Sequence, residues 1–222
     1  KTLREKTKIW DAWADSEGRL ETAYGRFWRR YPVPEVSLDG EVFADENNPW
    51  TTREENGQLV FDQIQYVIDT LKELKINPNH KNGRRMIVLA WNPGNATISK
   101  LPPCHYTFAF NVLGNKLNCH LTQRSGDIAL GIPFNLACYS LLTMMIAKEC
   151  GYEAGEFAHT IIDAHIYENH IEGLKEQLTR KPLKLAKIKI ADKPFNELTF
   201  EDITLEDYET VSYTHLALPT KR

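Results

Sequence analysis

The stretch "HYTFAFNVLGNKLNCHLTQRS", His105 to Ser125, sets two β-rich runs on either side of Gly114-Asn115. Two such runs around a glycine-containing dipeptide predict an antiparallel hairpin. Directly after it, "GIPFNLACYSLLTMMIAKECG" is apolar on most faces of a helix, which predicts a central helix closed at Gly151. Upstream, Ile64, Val67, Ile68, Leu71 and Leu74 form one 3.6-residue stripe that Asn77-Pro78 ends, and "RRMIVLAW" is a buried-strand signal. Downstream, "EFAHTIIDAHIY" predicts a strand, "ENHIEGLKEQLTR" a short amphipathic helix, and "LAKIKIAD" and "LTFEDITLEDY" two more strands. Residues 32–58, with three prolines and "DENN", are expected to be a long loop. Hairpins mixed with helices predict an α/β (α+β) fold with a mixed sheet.

The whole chain has 222 residues, 42% of them hydrophobic, enough for one sizeable core. A formal charge of −3 offers no global basic field for DNA. No apolar stretch reaches the ~18 residues of a membrane span. The four cysteines, Cys104, Cys119, Cys138 and Cys150, form no C-x-x-C pair, so reduced thiols in a cytoplasmic protein are expected and no metal site is.

Four clusters carry chemically useful side chains. "LPPCH" places Cys104 directly after two prolines. A thiolate nucleophile needs positive charge nearby, and "QRSGD" supplies Arg124 with Ser125 and Asp127, while Arg84 and Arg85 form a second basic pair. Arginines with a serine suit a phosphate dianion. In "DAHIY", His165 and Tyr167 are two apart and share one face of a strand. In "GIPFN", Asn135 lies at the start of the apolar helix, where its amide can read a base edge or cap the helix. Taken singly, the cysteine–arginine and His–Tyr clusters are better explained by a core cysteine, surface arginines and a satisfied His–Tyr pair, and Asn135 has the alternative of a helix cap.

Together, "LPPCH", "QRSGDIALGIPFN" and "DAHIYENH", with "IWDAWADSEGRLETAYG" and "GRRMIVLAWNP", resemble thymidylate synthase from about Ile9 to Tyr208. The resemblance implies a single domain over residues 1–210, built on a mixed twisted sheet covered by helices, that pairs two-fold through the sheet. It implies a methyltransferase that converts dUMP to dTMP with 5,10-methylenetetrahydrofolate, which leaves as dihydrofolate. Cys104 would add to C6 of the pyrimidine. Gln123, Arg124, Ser125 and Asp127 would line the dUMP site, Arg84 and Arg85 would reach the partner subunit's phosphate, and Arg124 would favour the Cys104 thiolate. Asn135 would read N3 and O4 of uracil, and His165 and Tyr167 the deoxyribose 3′-hydroxyl. Asp127 would hold the pterin, with Trp10, Trp13, Leu130, Gly131 and Phe134 around the folate. Tyr24 and His105 would belong to the proton-handling network.

The resemblance also implies further N-terminal residues, roughly sixty to eighty in a domain above the usual size. These would include a phosphate-binding arginine and a base-site glutamate, so the 222-residue chain is expected to turn over little substrate. Residues 211–222 read as a non-native tail, and residues 35–58 as an insertion. A pyrimidine hydroxymethylase of the same superfamily shares the cysteine and the folate; Asn135 argues for uracil over cytosine, and Trp10 for reduction over hydration. A non-catalytic nucleotide- or RNA-binding homologue is the remaining reading, against which Cys104 and Asn135 both argue.

These readings predict that Asn135→Asp shifts nucleotide preference from dUMP toward dCMP. Each mispaired polar group at the base edge costs about 1–3 kcal/mol. Relative kcat/KM for the two nucleotides is the measurement, and an unchanged ratio would make Asn135 structural.

Overall fold

The computed structural model describes residues 11, 14, 16–18, 24–34, 48–97, 99 and 101–210. The tail beginning at Val211, Trp10, Trp13 and most of the expected insertion lie outside the described residues. The backbone divides into two compact units, Lys1–Asn111 with His120–Gln123, and Val112–Cys119 with Arg124–Arg222.

In the first unit, α1 (Tyr24–Arg29) leads into β1 (Tyr31–Pro32). β1 pairs antiparallel with β3 (Leu59–Phe61), which also pairs antiparallel with β2 (Thr51–Arg53), in the order β1-β3-β2. The expected loop over residues 32–58 is therefore corrected at both ends. Pro32 lies in a strand, and β2 returns to β3 through a turn that Gly57 makes possible at φ 83°. Exposed Thr52 and Arg53 hide this strand from an apolar-pattern reading, because only its partner β3 is buried.

Helix α2 (Gln63–Ile76) follows the predicted stripe, with Ile64, Val67, Ile68 and Leu71 buried. Its N-terminus is capped by Asp62, whose carboxylate accepts the Gln65 N–H at 2.9 Å and the Arg29 Nε–H at 2.9 Å. Asn77 caps the far end, before Pro78. A 3₁₀ turn, Lys81–Arg84, leads to β4 (Ile87–Leu89). The predicted buried strand is buried on one face alone: Met86, Val88 and Ala90 point inward, whereas Ile87 is 52% exposed and Leu89 38%. A short helix, α3 (Pro93–Ala96), precedes the Cys104 turn.

The predicted hairpin is β5 (His105–Leu113) and β6 (Lys116–Asp127). Gly114 takes φ 62°, the left-handed value that the first residue of a two-residue hairpin loop requires. β4 pairs antiparallel with β5, in register Ile87↔Ala109 and Val88↔Phe108. With β7 (Glu153–His165) the strand order is β4-β5-β6-β7. Strands flanked by helices agree with the expected mixed α/β class.

In the second unit, α4 (Gly131–Glu149) packs on β7, where Tyr139 stacks on Phe157 with ring centroids 6.1 Å apart. The helix buries one stripe, Ile132, Tyr139, Thr143, Ile146 and Ala147, and is not covered all round as its composition predicts. Phe134, Leu136 and Met144 remain exposed. After α5 (Ile171–Leu178), the predicted strands pair as a hairpin, β8 (Lys187–Ile190) with β9 (Ile203–Glu206). Lys148 at the end of α4 donates to Ile190 O and Ala191 O at 2.9 and 2.6 Å, and so anchors that hairpin. No described helix is long and apolar enough to cross a membrane.

Among the described residues β4 ends its sheet, and one edge of it has no neighbouring strand. The buried Gln63 amide takes that role: Oε1 accepts the Leu89 N–H at 2.8 Å, and Nε2 donates to Leu89 O at 2.8 Å and to Phe27 O at 2.7 Å. Gln63→Leu strands these backbone groups and is expected to destabilise the unit by about 1–3 kcal/mol. Gln63→Glu, which loses the donors, is expected to fail as well. Chemical denaturation of the two variants checks this, and a loss below about 0.5 kcal/mol in both would contradict the role.

Candidate active site

The candidate residues fall into separate groups within each unit. In the first, Cys104 stands immediately before β5, behind the buried Pro103, and is half-buried. Consecutive prolines restrict the approach to the turn, so the prolines hold the cysteine where β5 begins. The Cys104 N–H donates to Tyr24 Oη at 2.8 Å, joining the first residue of α1 to the Cys104 turn across 80 residues of sequence. The Tyr24 ring lies flat on His105, with centroids 3.5 Å apart and planes 12° from parallel. Trp28, one turn along α1, meets Tyr24 at 6.5 Å and presents an edge to Phe108 at 5.2 Å. Three candidates, Tyr24, Cys104 and His105, are thus gathered into one cluster backed by aromatic packing.

Arg84 closes the 3₁₀ turn and Arg85 follows it; both are exposed. Among the described residues neither has a recorded ion pair, so both guanidinium forks are presented to solvent. Gly83 in this turn packs against Leu74, whose methyl would have to shift to admit a Cβ, 2.8 Å away.

On β6 the inward alternation Leu117, Cys119, Leu121, Gln123 breaks after Gln123: Arg124 and Ser125 are both half-buried, and Gly126 is the next buried residue. A regular strand would send Arg124 and Ser125 to opposite faces; the change of phase occurs at these two neighbours. Gly126 is required by packing, because a Cβ there would meet Ile132 at 2.6 Å and Ile161 at 3.1 Å. Residue pattern alone did not single it out, although glycine inside a strand signals a close approach.

The turn after β6 brings together most of the second group. Asp127 Oδ1 accepts the Ala129 N–H at 3.0 Å, and the Ile128 N–H donates to His165 O at 2.9 Å, at the end of β7. Asp127 Oδ2 is buried with no hydrogen-bond partner among the described residues, as is His165 Nδ1. Asp163 Oδ2 is 3.6 Å from that nitrogen, outside hydrogen-bond range. The His165 and Tyr167 rings meet edge to face at 5.2 Å. Leu130 precedes α4, Gly131 opens it, and Phe134 is 71% exposed on its first turn. Asn135 lies inside the helix, and the N-cap position belongs to Leu130, so the capping role considered for Asn135 does not hold.

Burial raises the pKa of two of the other thiols, Cys138 and, further, Cys119. Burial pushes the Cys119 thiol up to about 12, an effect that a hydrogen bond with Thr143 only partly offsets, so it stays protonated and inert at neutral pH. Among the described residues, no group of three or more His, Cys, Asp or Glu side chains is placed to hold a metal ion.

Sequence reasoning missed His170. It is completely buried, its N–H donates to Tyr167 O at 2.9 Å, its ring faces Tyr167 edge-on at 5.9 Å, and its Nδ1 is 3.9 Å from Asp127 Oδ1. It lies in the quoted "DAHIYENH", three residues beyond the last residue given a role.

The family model described as thymidylate synthase matches residues 1–218. Among curated relatives, a thymidylate synthase of Haloferax volcanii is 60% identical over 167 residues, which make up 75% of this chain and 46% of the relative. The chain therefore spans about half the length of the curated relative it matches. A match over nearly the whole chain, joined to this identity and to a cysteine held against a Tyr–His stack, leads to one conclusion: the chain belongs to the thymidylate synthase family.

Proposed function

We propose that the protein is a methyltransferase that converts dUMP to dTMP, acting in the cytoplasm as a homodimer and taking both the one-carbon unit and the reducing hydride from 5,10-methylenetetrahydrofolate. The observation that carries this reading is the Tyr24–Cys104–His105 cluster in a chain of this family.

Cys104 Sγ adds to C6 of the pyrimidine, which turns C5 into the nucleophilic carbon and divides one difficult step into two easier ones. Tyr24 Oη accepts from the Cys104 amide, which holds the phenol where it would serve the protons near C5. His105, stacked beneath it, extends the polar network toward C4. Asn135 offers one acceptor and two donors to N3 and O4. Arg124 and Ser125 hold the nucleotide phosphate with Gln123 nearby in sequence, and Arg84 and Arg85 serve the phosphate of the partner's site. The exposed apolar faces that alternate with buried residues on β4 support such pairing through the sheet. His165 and Tyr167 hold the 3′-hydroxyl.

The residues present fit a reduced folate. Asp127 keeps a buried acceptor with no hydrogen-bond partner among the described residues, which the N–H groups of a pterin would satisfy, and exposed Phe134, seven residues on, offers an apolar ring face. Leu130 and Gly131 would add to that surface, while Trp10 and Trp13, which the resemblance also assigns to the folate, lie outside the described residues. When bound, the folate supplies the one-carbon unit and the hydride.

The test is turnover in a chain extended at both ends with the corresponding segments of the Haloferax volcanii relative. dTMP is the expected product; 5-hydroxymethyl-dUMP would point to the hydroxymethylase, and failure to bind dUMP would overturn the reading. Cys104→Ser is expected to bring dTMP formation to background while dUMP binding stays measurable, because serine lacks an accessible anion. Tyr24→Phe keeps the stack and loses the phenol. It is expected to lower turnover by about 10²-fold and to speed hydrogen exchange at the Cys104 amide, which mass spectrometry reads directly.

A further inference from the structure

Asp127 and the His165–Tyr167 pair have different partners in the proposed reaction, the pterin and the deoxyribose, yet one buried side chain touches both. His170 is sealed from solvent, its ring edge-on to Tyr167 at 5.9 Å and its Nδ1 3.9 Å from Asp127 Oδ1. Its backbone is fixed by the N–H bond to Tyr167 O at 2.9 Å, and it leads directly into α5. On the other side, the Ile128 N–H bond to His165 O ties the turn carrying Asp127 to the strand carrying His165. The Nδ1–Oδ1 separation is longer than a hydrogen bond, so a modest rotation of the carboxylate or the imidazole makes or breaks the contact. Asp127 Oδ2 meanwhile remains buried with no hydrogen-bond partner among the described residues.

We propose that His170 is a positioning residue that couples the sugar-binding pair His165–Tyr167 to the Asp127 carboxylate, so that bound nucleotide sets the orientation in which Asp127 receives the pterin. The inference rests on the functional reading above. A nucleotide that seats Tyr167 also seats the imidazole packed against it, and the imidazole selects the carboxylate rotamer. Removing it leaves the nucleotide ligands in place and costs affinity for the folate.

The experiment titrates the protein with dUMP, and then, at saturating dUMP, with dihydrofolate, which carries no one-carbon unit and does not turn over, in wild type, His170→Phe and His170→Gln. Phe keeps the ring against Tyr167 and has no nitrogen for the carboxylate; Gln restores a donor. His170→Phe is expected to leave the dUMP Kd within about twofold and to raise the folate Kd about tenfold, a typical coupling, and His170→Gln to recover part of that loss. Equal weakening of both ligands, an unchanged folate Kd, or no recovery in Gln would overturn the proposal. A wild-type protein that bound no dUMP would overturn the functional reading and this one with it, whereas normal dUMP binding with an unmoved folate Kd in His170→Phe would remove this one alone. Should the buried variants not fold, wild type decides: the carboxyl ¹³C resonance of Asp127, assigned with Asp127→Asn, is expected to shift on saturation with dUMP, and a resonance that stays put overturns the coupling.

Discussion

The side-chain amide of Gln63 holds the frame from which the cysteine site is built. It pairs with both backbone groups of Leu89 as a further strand would, and its second N–H reaches Phe27 O on α1. Helix α2, edge strand β4 and helix α1 are therefore joined through one buried group. Tyr24 opens α1, and Cys104 follows the segment that leaves β4. The 2.8 Å contact between them depends on two elements that are remote in sequence keeping a fixed relation, and a directional, three-bond amide holds it better than non-directional apolar packing would.

The cysteine cluster is small, and its supports are rigid. Proline at positions 102 and 103 fixes φ on one side, β5 starts at His105 on the other, and the Tyr24 phenol takes the Cys104 amide. A nucleophile must be held close to its productive geometry, because small displacements are costly to reactivity. At Cys119, by contrast, burial pushes the thiol up to about 12 and keeps it protonated at neutral pH. Position in the fold thus separates one cysteine from another of the same composition.

Much of this was legible in the residues. The Gly114-Asn115 hairpin, the α2 stripe and the β8 and β9 alternation appear where local rules place them, because each signal is local: a left-handed turn residue, a 3.6 period, a period of two. β2 was missed because Thr52 and Arg53 are exposed and the strand exists only by pairing with β3. α4 is apolar on most faces yet buries one stripe, because hydropathy counts apolar residues without saying which are covered in a single copy; Phe134 and Leu136 lie outside that stripe. Gln63 and His170 were missed for a related reason. Each is polar by type, and His170 sits in the charged run "ENHIEG", so composition assigns it to solvent although it is wholly buried.

Gln63 did carry a readable signal, since it lies four residues before Val67 on the apolar stripe, where a polar residue must find buried partners or destabilise the helix's packing. The same rule applies to Asp127 and His165 in reverse. Their buried atoms lack hydrogen-bond partners among the described residues, and such groups are rare in folded proteins unless something else supplies the missing contact. Both lie in one turn-and-strand region with Tyr167 and His170, linked by the Ile128–His165 backbone bond. Among the described residues, these two buried atoms lie in one region of the unit, where a polar ligand would answer them. Asp127 and His165 are thus marked by their burial as well as by the motifs they stand in.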